Sequence, residues 1–153
     1  MNRLIRKATD NDATAISHVI VAALRESNSQ DYSAAVIAQV ELSFSPSAIL
    51  RFMAQRQVYV ASFGEEIIAT ASLDQGTVRS VFVAPSHQGS GIGRALMAAI
   101  ESAATTHGVS RLRVPSSITA EGFYRSLGYS PIRDEYHGEE RTIIMEKSLT
   151  SQV

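Results

Sequence analysis

The stretch Val81-Phe82-Val83-Ala84-Pro85-Ser86-His87-Gln88-Gly89-Ser90-Gly91-Ile92-Gly93-Arg94 limits what this chain can fold into more than any other. Val81 to Val83 are β-branched or aromatic and suit a buried pleated surface. Pro85 has no N–H for a sheet ladder, so it ends the strand. Gly89, Gly91 and Gly93 then lead into a helical stripe of Ile92, Leu96, Ala99, Ile100, Ala103 and Ala104, and Gly108 suits the left-handed position that closes such a helix. Without Cβ, glycine lets backbone amides approach a ligand and adopt positive φ. The first amides of a helix lack intrahelical acceptors, and the helix dipole adds positive character there. The stretch therefore predicts a strand, a turn and a helix start that bind an anion, most naturally a phosphate.

Two phosphate-binding patterns fail. A dinucleotide fingerprint needs a third glycine where Arg94 stands, and the expected acidic residue is replaced by Arg111-Leu112-Arg113-Val114. A P-loop needs Gly-Lys-Ser/Thr, which is absent. The pattern that matches is Gln-x-x-Gly-x-Gly at Gln88, Gly91 and Gly93. It resembles motif A of the GNAT superfamily, the acyl-CoA-dependent N-acyltransferases. That resemblance implies that the loop from Gln88 through Gly89, Ser90, Gly91, Ile92 and Gly93 to Arg94 holds the pyrophosphate of acetyl-CoA, with Arg94 adding a phosphate contact. The plainer alternative for Arg94 is a solvated helix arginine.

At 153 residues the chain reads as a single domain, 1–150, with a short tail at 151–153. Apolar residues make up 44% and charged residues 19%, which is a globular composition. A net charge of −1 gives no reason to expect nucleic-acid binding. The absence of cysteine excludes disulfides, thiolate metal sites and a covalent thiol nucleophile, and fits a cytoplasmic protein. The four histidines are scattered without ligand spacing, so no metal site is expected. No apolar run approaches the roughly 18 residues of a membrane span, and the N-terminus does not read as a signal peptide.

Read in order, the pattern predicts a strand over 3–7 and a helix to about Arg25, with two shorter helices over 33–41 and 46–55. Strands over 57–63, 67–73 and 77–83 follow, joined by tight turns at 64–66 and 74–76. After the glycine loop and its helix come a strand over 111–114, a short helix over 119–127 and strands over 129–133 and 142–147. Asp134 to Glu140 reads as an acidic loop. Strand–helix–strand crossing makes the pairing of the fourth and fifth strands parallel. The expected fold class is mixed α/β: a mostly antiparallel central sheet with one parallel pair, flanked by helices.

The second informative stretch is Ser117-Ile118-Thr119-Ala120-Glu121-Gly122-Phe123-Tyr124-Arg125-Ser126-Leu127-Gly128-Tyr129. Ala120, Phe123, Tyr124, Gly128 and Tyr129 match the spacing of motif B of the same superfamily. The resemblance implies that the parallel pair splays near Val83 and Val114, and that the pantetheine arm pairs with the backbone of Val81, Phe82 and Val83. Ser117 stands where relatives commonly carry asparagine against pantetheine. Tyr124 aligns with the tyrosine that often protonates the departing thiolate; read from the residues alone, a core aromatic is as good an account.

The resemblance implies direct transfer of acetyl from acetyl-CoA to a primary amine, on a small molecule or a peptide. A non-catalytic acyl-CoA sensor and a transferase of longer acyl-CoA are the alternatives, and a homodimer is compatible with either. An alkylamine must shed a proton before attack. Asp74, Glu121 and Glu66 are weak candidates for the base, and amides near Phe82 are suited to polarise the thioester carbonyl. Residues 26–56 and the acidic loop are expected to select the acceptor. Tyr32, Phe44 and Phe52 are the aromatic candidates, and Glu139 and Glu140 suggest a cationic acceptor.

Overall fold

The computed structural model describes residues 3–28, 33–138 and 140–149. Tyr32, Glu139 and the 151–153 tail lie outside them, as does the side chain of Glu140. The chain runs β1 (Arg3–Lys7), α1 (Ala13–Asn28), α2 (Ala34–Leu42), α3 (Pro46–Gln55), β2 (Gln57–Phe63), β3 (Glu66–Asp74), β4 (Thr77–Val83), α4 (Ile92–Thr106), β5 (Arg111–Ser116), α5 (Glu121–Ser126), β6 (Ser130–His137) and β7 (Glu140–Ser148). The strands form one seven-stranded sheet ordered β1-β2-β3-β4-β5-β7-β6, in which β4–β5 is the parallel pair.

Helices cover both faces of the sheet. On one, Leu96, Met97, Ile100 and Ala104 of α4 pack with Ala71, Leu73, Val78, Leu112 and Val114 of the strands. On the other, Ala13, Ile16 and Ile20 of α1 pack with Ile49 of α3 and with Val58 and Val60. Spacings of three and four put each helix's apolar residues on one stripe. β3 lies between the two layers, and its Ile68 to Leu73 are buried throughout, as expected of a strand covered on both faces. Ser45 starts α3 by accepting a hydrogen bond from the Ala48 amide, with Pro46 at the first helical position.

The acidic loop expected at Asp134 to Glu140 is instead strand. β6 runs to His137 and β7 resumes at Glu140, with Gly138 at φ +66 in the turn. β6 is an edge strand and mostly exposed on both faces, so charged residues fit it without burial. Its carboxylates pair with arginines, Asp134 with Arg141 at 3.0 Å and Glu135 with Arg133 at 2.9 Å.

Candidate active site

Two residues open the sheet at its centre. The β4–β5 pairing is limited to Thr77 opposite Arg113, where the Arg113 amide donates to the Gly76 carbonyl at 2.9 Å. Strand alternation returns the same edge of β5 at Pro115, which has no N–H to continue the ladder. On β4, the register against β3 jumps from Ser72 opposite Arg79 to Thr70 opposite Phe82. The extra residue makes a bulge at Ser80, whose φ of +55 is uncommon outside glycine. Beyond Thr77 the two parallel strands part.

The edge of β4 that faces the gap carries Val83. The Ala84 amide donates to the Ile68 carbonyl of β3, so Phe82 shares that direction and Val83 points the other way. The amide facing the gap therefore belongs to Val83 and not to Phe82 itself. The Gln88 side chain donates to the Val83 carbonyl at 3.2 Å, which ties the loop to the strand end. Val81 and Val83 pack toward the α4 layer, and Phe82 packs on the α1–α3 layer.

Gly91 precedes α4 with φ +86, and its carbonyl accepts the first helical bond, from the Ala95 amide at 3.1 Å. The amides of Gly91, Ile92, Gly93 and Arg94 have no acceptor among the described residues, which is the geometry of an anion site. A Cβ on Gly89 or Gly91 would meet no protein atom within 4 Å, so packing leaves that side of the loop clear; the positive φ is what demands glycine there. Gly93 is glycine for another reason. A Cβ there would lie 3.3 Å from Phe123 Cζ and 3.8 Å from Val83 Cγ2, so α4, β4 and α5 converge on it. The Ile92 side chain is buried in the core and offers the site only its amide.

Positive charge gathers around the loop from outside it. Arg3 on β1 donates to the Ser90 carbonyl at 2.7 Å, and Ser90 Oγ donates to the His87 carbonyl at 2.5 Å. Arg94 donates to Ser126 Oγ at 3.4 Å. The Arg3 contact spans 87 residues and leaves no local signal in the sequence.

Tyr124 is buried, 5% exposed. Its ring makes edge contacts with Phe123 at 5.1 Å and Tyr129 at 5.9 Å. Its hydroxyl has no hydrogen-bond partner among the described residues, and burial pushes its pKa up to about 12. Tyr129 differs: its hydroxyl donates to Glu101 at 2.8 Å, and Lys147 holds the other Glu101 oxygen at 3.0 Å. Ser117 accepts a bond from the Ala120 amide at 3.2 Å and so braces the turn into α5.

The three candidate bases are paired or exposed. Asp74 ends β3, opposite Thr77 at the start of β4 and paired with Arg79, about 20 Å along the strand from Val83. Glu121 is paired with Arg125 at 2.9 Å, and Glu66 is exposed on the β2–β3 hairpin. On the α1–α3 side of the gap, Phe44 makes edge contacts with both Phe52, at 6.1 Å, and Phe82, at 5.8 Å. These two expected aromatics line a cleft of about 260 Å³ together with Arg56, Arg79, Ser80 and Pro115.

A family model described as an acetyltransferase (GNAT) domain matches residues 28–149. Among solved structures, the chain is similar to a GCN5-related N-acetyltransferase from Rhodopseudomonas palustris, with a TM-score of 0.85 and 22% identity over 97% of this chain and 96% of that one. It is similar to the PaiA N-acetyltransferase of Thermoplasma acidophilum in complex with coenzyme A, with a TM-score of 0.83 and 18% identity over 97% and 99%. The ribosomal-protein alanine N-acetyltransferase of Escherichia coli gives 0.76 and 20% over 99% and 97%. No curated protein sequence matches. At these identities the structural likenesses bear on the fold.

Proposed function

The chain belongs to the GNAT acetyltransferase family, and from that premise we propose that it transfers the acetyl group of acetyl-CoA directly to a primary amine. The observation that carries the reading is the run of acceptorless amides from Gly91 to Arg94 beside an open strand edge at Val83. The amides and the helix dipole suit a pyrophosphate, with Arg3 and Arg94 adding charge. The open edge of β4 suits the amide groups of a pantetheine arm, as an extra strand would. The clear space at Gly89 and Gly91 fits the same ligand. Ser117 Oγ accepts from the Ala120 amide and keeps its O–H to donate to a ligand.

Acetyl-CoA supplies an activated acyl group, and the chain supplies position and protons. The Val83 amide lies along the edge where a thioester carbonyl would be polarised. As the new N–C bond forms and the C–S bond breaks, Tyr124 gives its hydroxyl proton toward the sulfur. The ammonium proton of the acceptor leaves to water before attack, and the second nitrogen proton, lost once the N–C bond has formed, returns to Tyr124 through water.

The test combines calorimetry of CoA binding with thiol release from acetyl-CoA across a panel of amines. Wild type should bind CoA and release thiol only with an amine present. Gly91→Val puts a branched side chain at a φ of +86 in the clear space and should weaken CoA binding at least about tenfold while circular dichroism stays native. Unchanged CoA affinity in that variant would remove the loop from the site. CoA binding without amine-dependent thiol release would favour a sensor.

A further inference from the structure

Arg56 differs from the arginines of β4 and β5. Arg79, Arg111 and Arg113 each face a carboxylate within 3.4 Å. Arg56 has no carboxylate partner among the described residues. Its guanidinium lies over the Phe52 ring, 4.1 Å from the centroid, and among the described residues it donates only a long bond of 3.4 Å to Ser80 Oγ. Burial and then the like charge of Arg79 lower its pKa from the ordinary arginine value, and Asp74 partly offsets them. A desolvated cation held flat by an aromatic ring and left without a counter-charge is arranged to receive an anion.

The place matters as much as the charge. Arg56 lines the cleft of about 260 Å³ together with Arg79, Ser80, Phe44, Phe52 and Pro115. Pro115 and Ser80 are the two residues that part β4 from β5, so the cleft opens where the sheet opens. Ser80 is three residues from Val83, about 10 Å along the strand. A linear amine with its anion at the far end, such as an ω-amino acid of about six carbons, spans most of that distance at about 1.25 Å per bond. The charged groups here are Arg56, Arg79 and Asp74, which leave one net positive charge for the ligand to balance.

We infer that this cleft is the acceptor subsite and that Arg56 binds a carboxylate carried by the acceptor amine. The inference rests on the acetyl-transfer reading above and narrows it to amines that bear an anionic group. It also runs against the cationic acceptor expected from the acidic run, whose Asp134 and Glu135 already pair with arginines. Arg79 is shared with Asp74 and acts as a secondary contact. The planar guanidinium matches the two oxygens of a carboxylate, and a single charge suits a carboxylate better than a phosphate.

The experiment compares ω-amino acids of about two to six carbons with their carboxamides as acceptors, by thiol release at saturating acetyl-CoA. Wild type should favour at least one acid over its amide by about 10- to 100-fold in kcat/KM, the range lost with a charge-assisted hydrogen bond. Arg56→Gln should erase that preference by raising the acceptor KM, while the KM for acetyl-CoA and the calorimetric CoA affinity stay as in wild type. Arg56→Lys keeps the charge and should recover part of the preference, which separates recognition from a folding defect. Amines acetylated with equal efficiency as acids and amides would overturn this inference and leave the transfer reading intact. CoA binding with no amine acetylated at all would overturn both.

Discussion

Replacing Tyr124 with phenylalanine isolates a single hydroxyl. The ring contacts at 5.1 and 5.9 Å survive the change, and the hydroxyl has no partner to lose among the described residues. Stability should therefore shift by less than about 1 kcal/mol, in either direction. The catalytic cost is a different matter. A thiolate is a moderate leaving group, with a conjugate acid near pKa 8.5, so its loss gains from a proton without requiring one. Donors of this kind contribute about 10² to 10⁴ in rate, and a thiolate puts the expectation at the lower end. A fall of about 100-fold in kcat corresponds to about 2.7 kcal/mol of barrier. The assay is thiol release at saturating acetyl-CoA and amine, after single-turnover kinetics establish that chemistry limits the rate. The pH profile gives a second reading. The active form is the protonated phenol, and burial pushes its pKa up to about 12. Activity that depends on it is present through the neutral range and is lost only as the pH rises toward that value. A fall in kcat at about pH 8 to 10 would belong to another group, because burial holds Tyr124 above the ordinary tyrosine value near 10. A Tyr124→Phe enzyme within about twofold of wild-type kcat, with chemistry limiting, would show that the residue is core packing and not the acid.

Three further changes test the frame around the site. Glu101→Ala strands the Tyr129 hydroxyl and the Lys147 ammonium; chemical unfolding should show a loss of about 1 to 3 kcal/mol, with CoA affinity retained in the folded protein. Gln75 holds φ +56 in the β3–β4 turn, so Gln75→Gly relieves strain and should raise stability by about 0.5 kcal/mol after the added chain entropy is subtracted. Asp12 is held down to about pKa 2 by its hydrogen bonds to Arg6. Its lowered pKa stabilises the fold above the unfolded value of 3.8, and the benefit disappears as the pH falls through about 2. The stability gap between wild type and Asp12→Asn should close over that interval in acid titrations followed by circular dichroism.

The element order and the glycine loop were legible because both are written in short-range pattern. Periods of two and of three to four mark strands and helices, and Gly91 marks a left-handed backbone. Phe44 and Phe52 stand in a segment free of motif residues, and the structure puts both on one cleft. What sequence could not carry is long-range or conformational. Arg56 and Arg79 are 23 positions apart and meet only across a cleft. Ser80 sits in the left-handed region with nothing in its side chain to announce it. Gly93 looks like a loop glycine until Phe123 is seen pressed against it. The acidic residues of β6 read as a loop because edge strands tolerate the charges that interior strands reject.

The parting of β4 from β5 puts an edge strand in the middle of a sheet. Backbone groups along such an edge bond to any extended chain that reaches them, including another copy of the same protein. The chain carries its own protection there. Pro115 denies a donor on one side of the opening, and the bulge at Ser80 twists the other side out of the flat geometry that intermolecular pairing needs. The irregularities that open the sheet thus also blunt the edge they expose. Straightening β4 while the gap stays open would remove that protection and leave a flat edge free to pair with another copy.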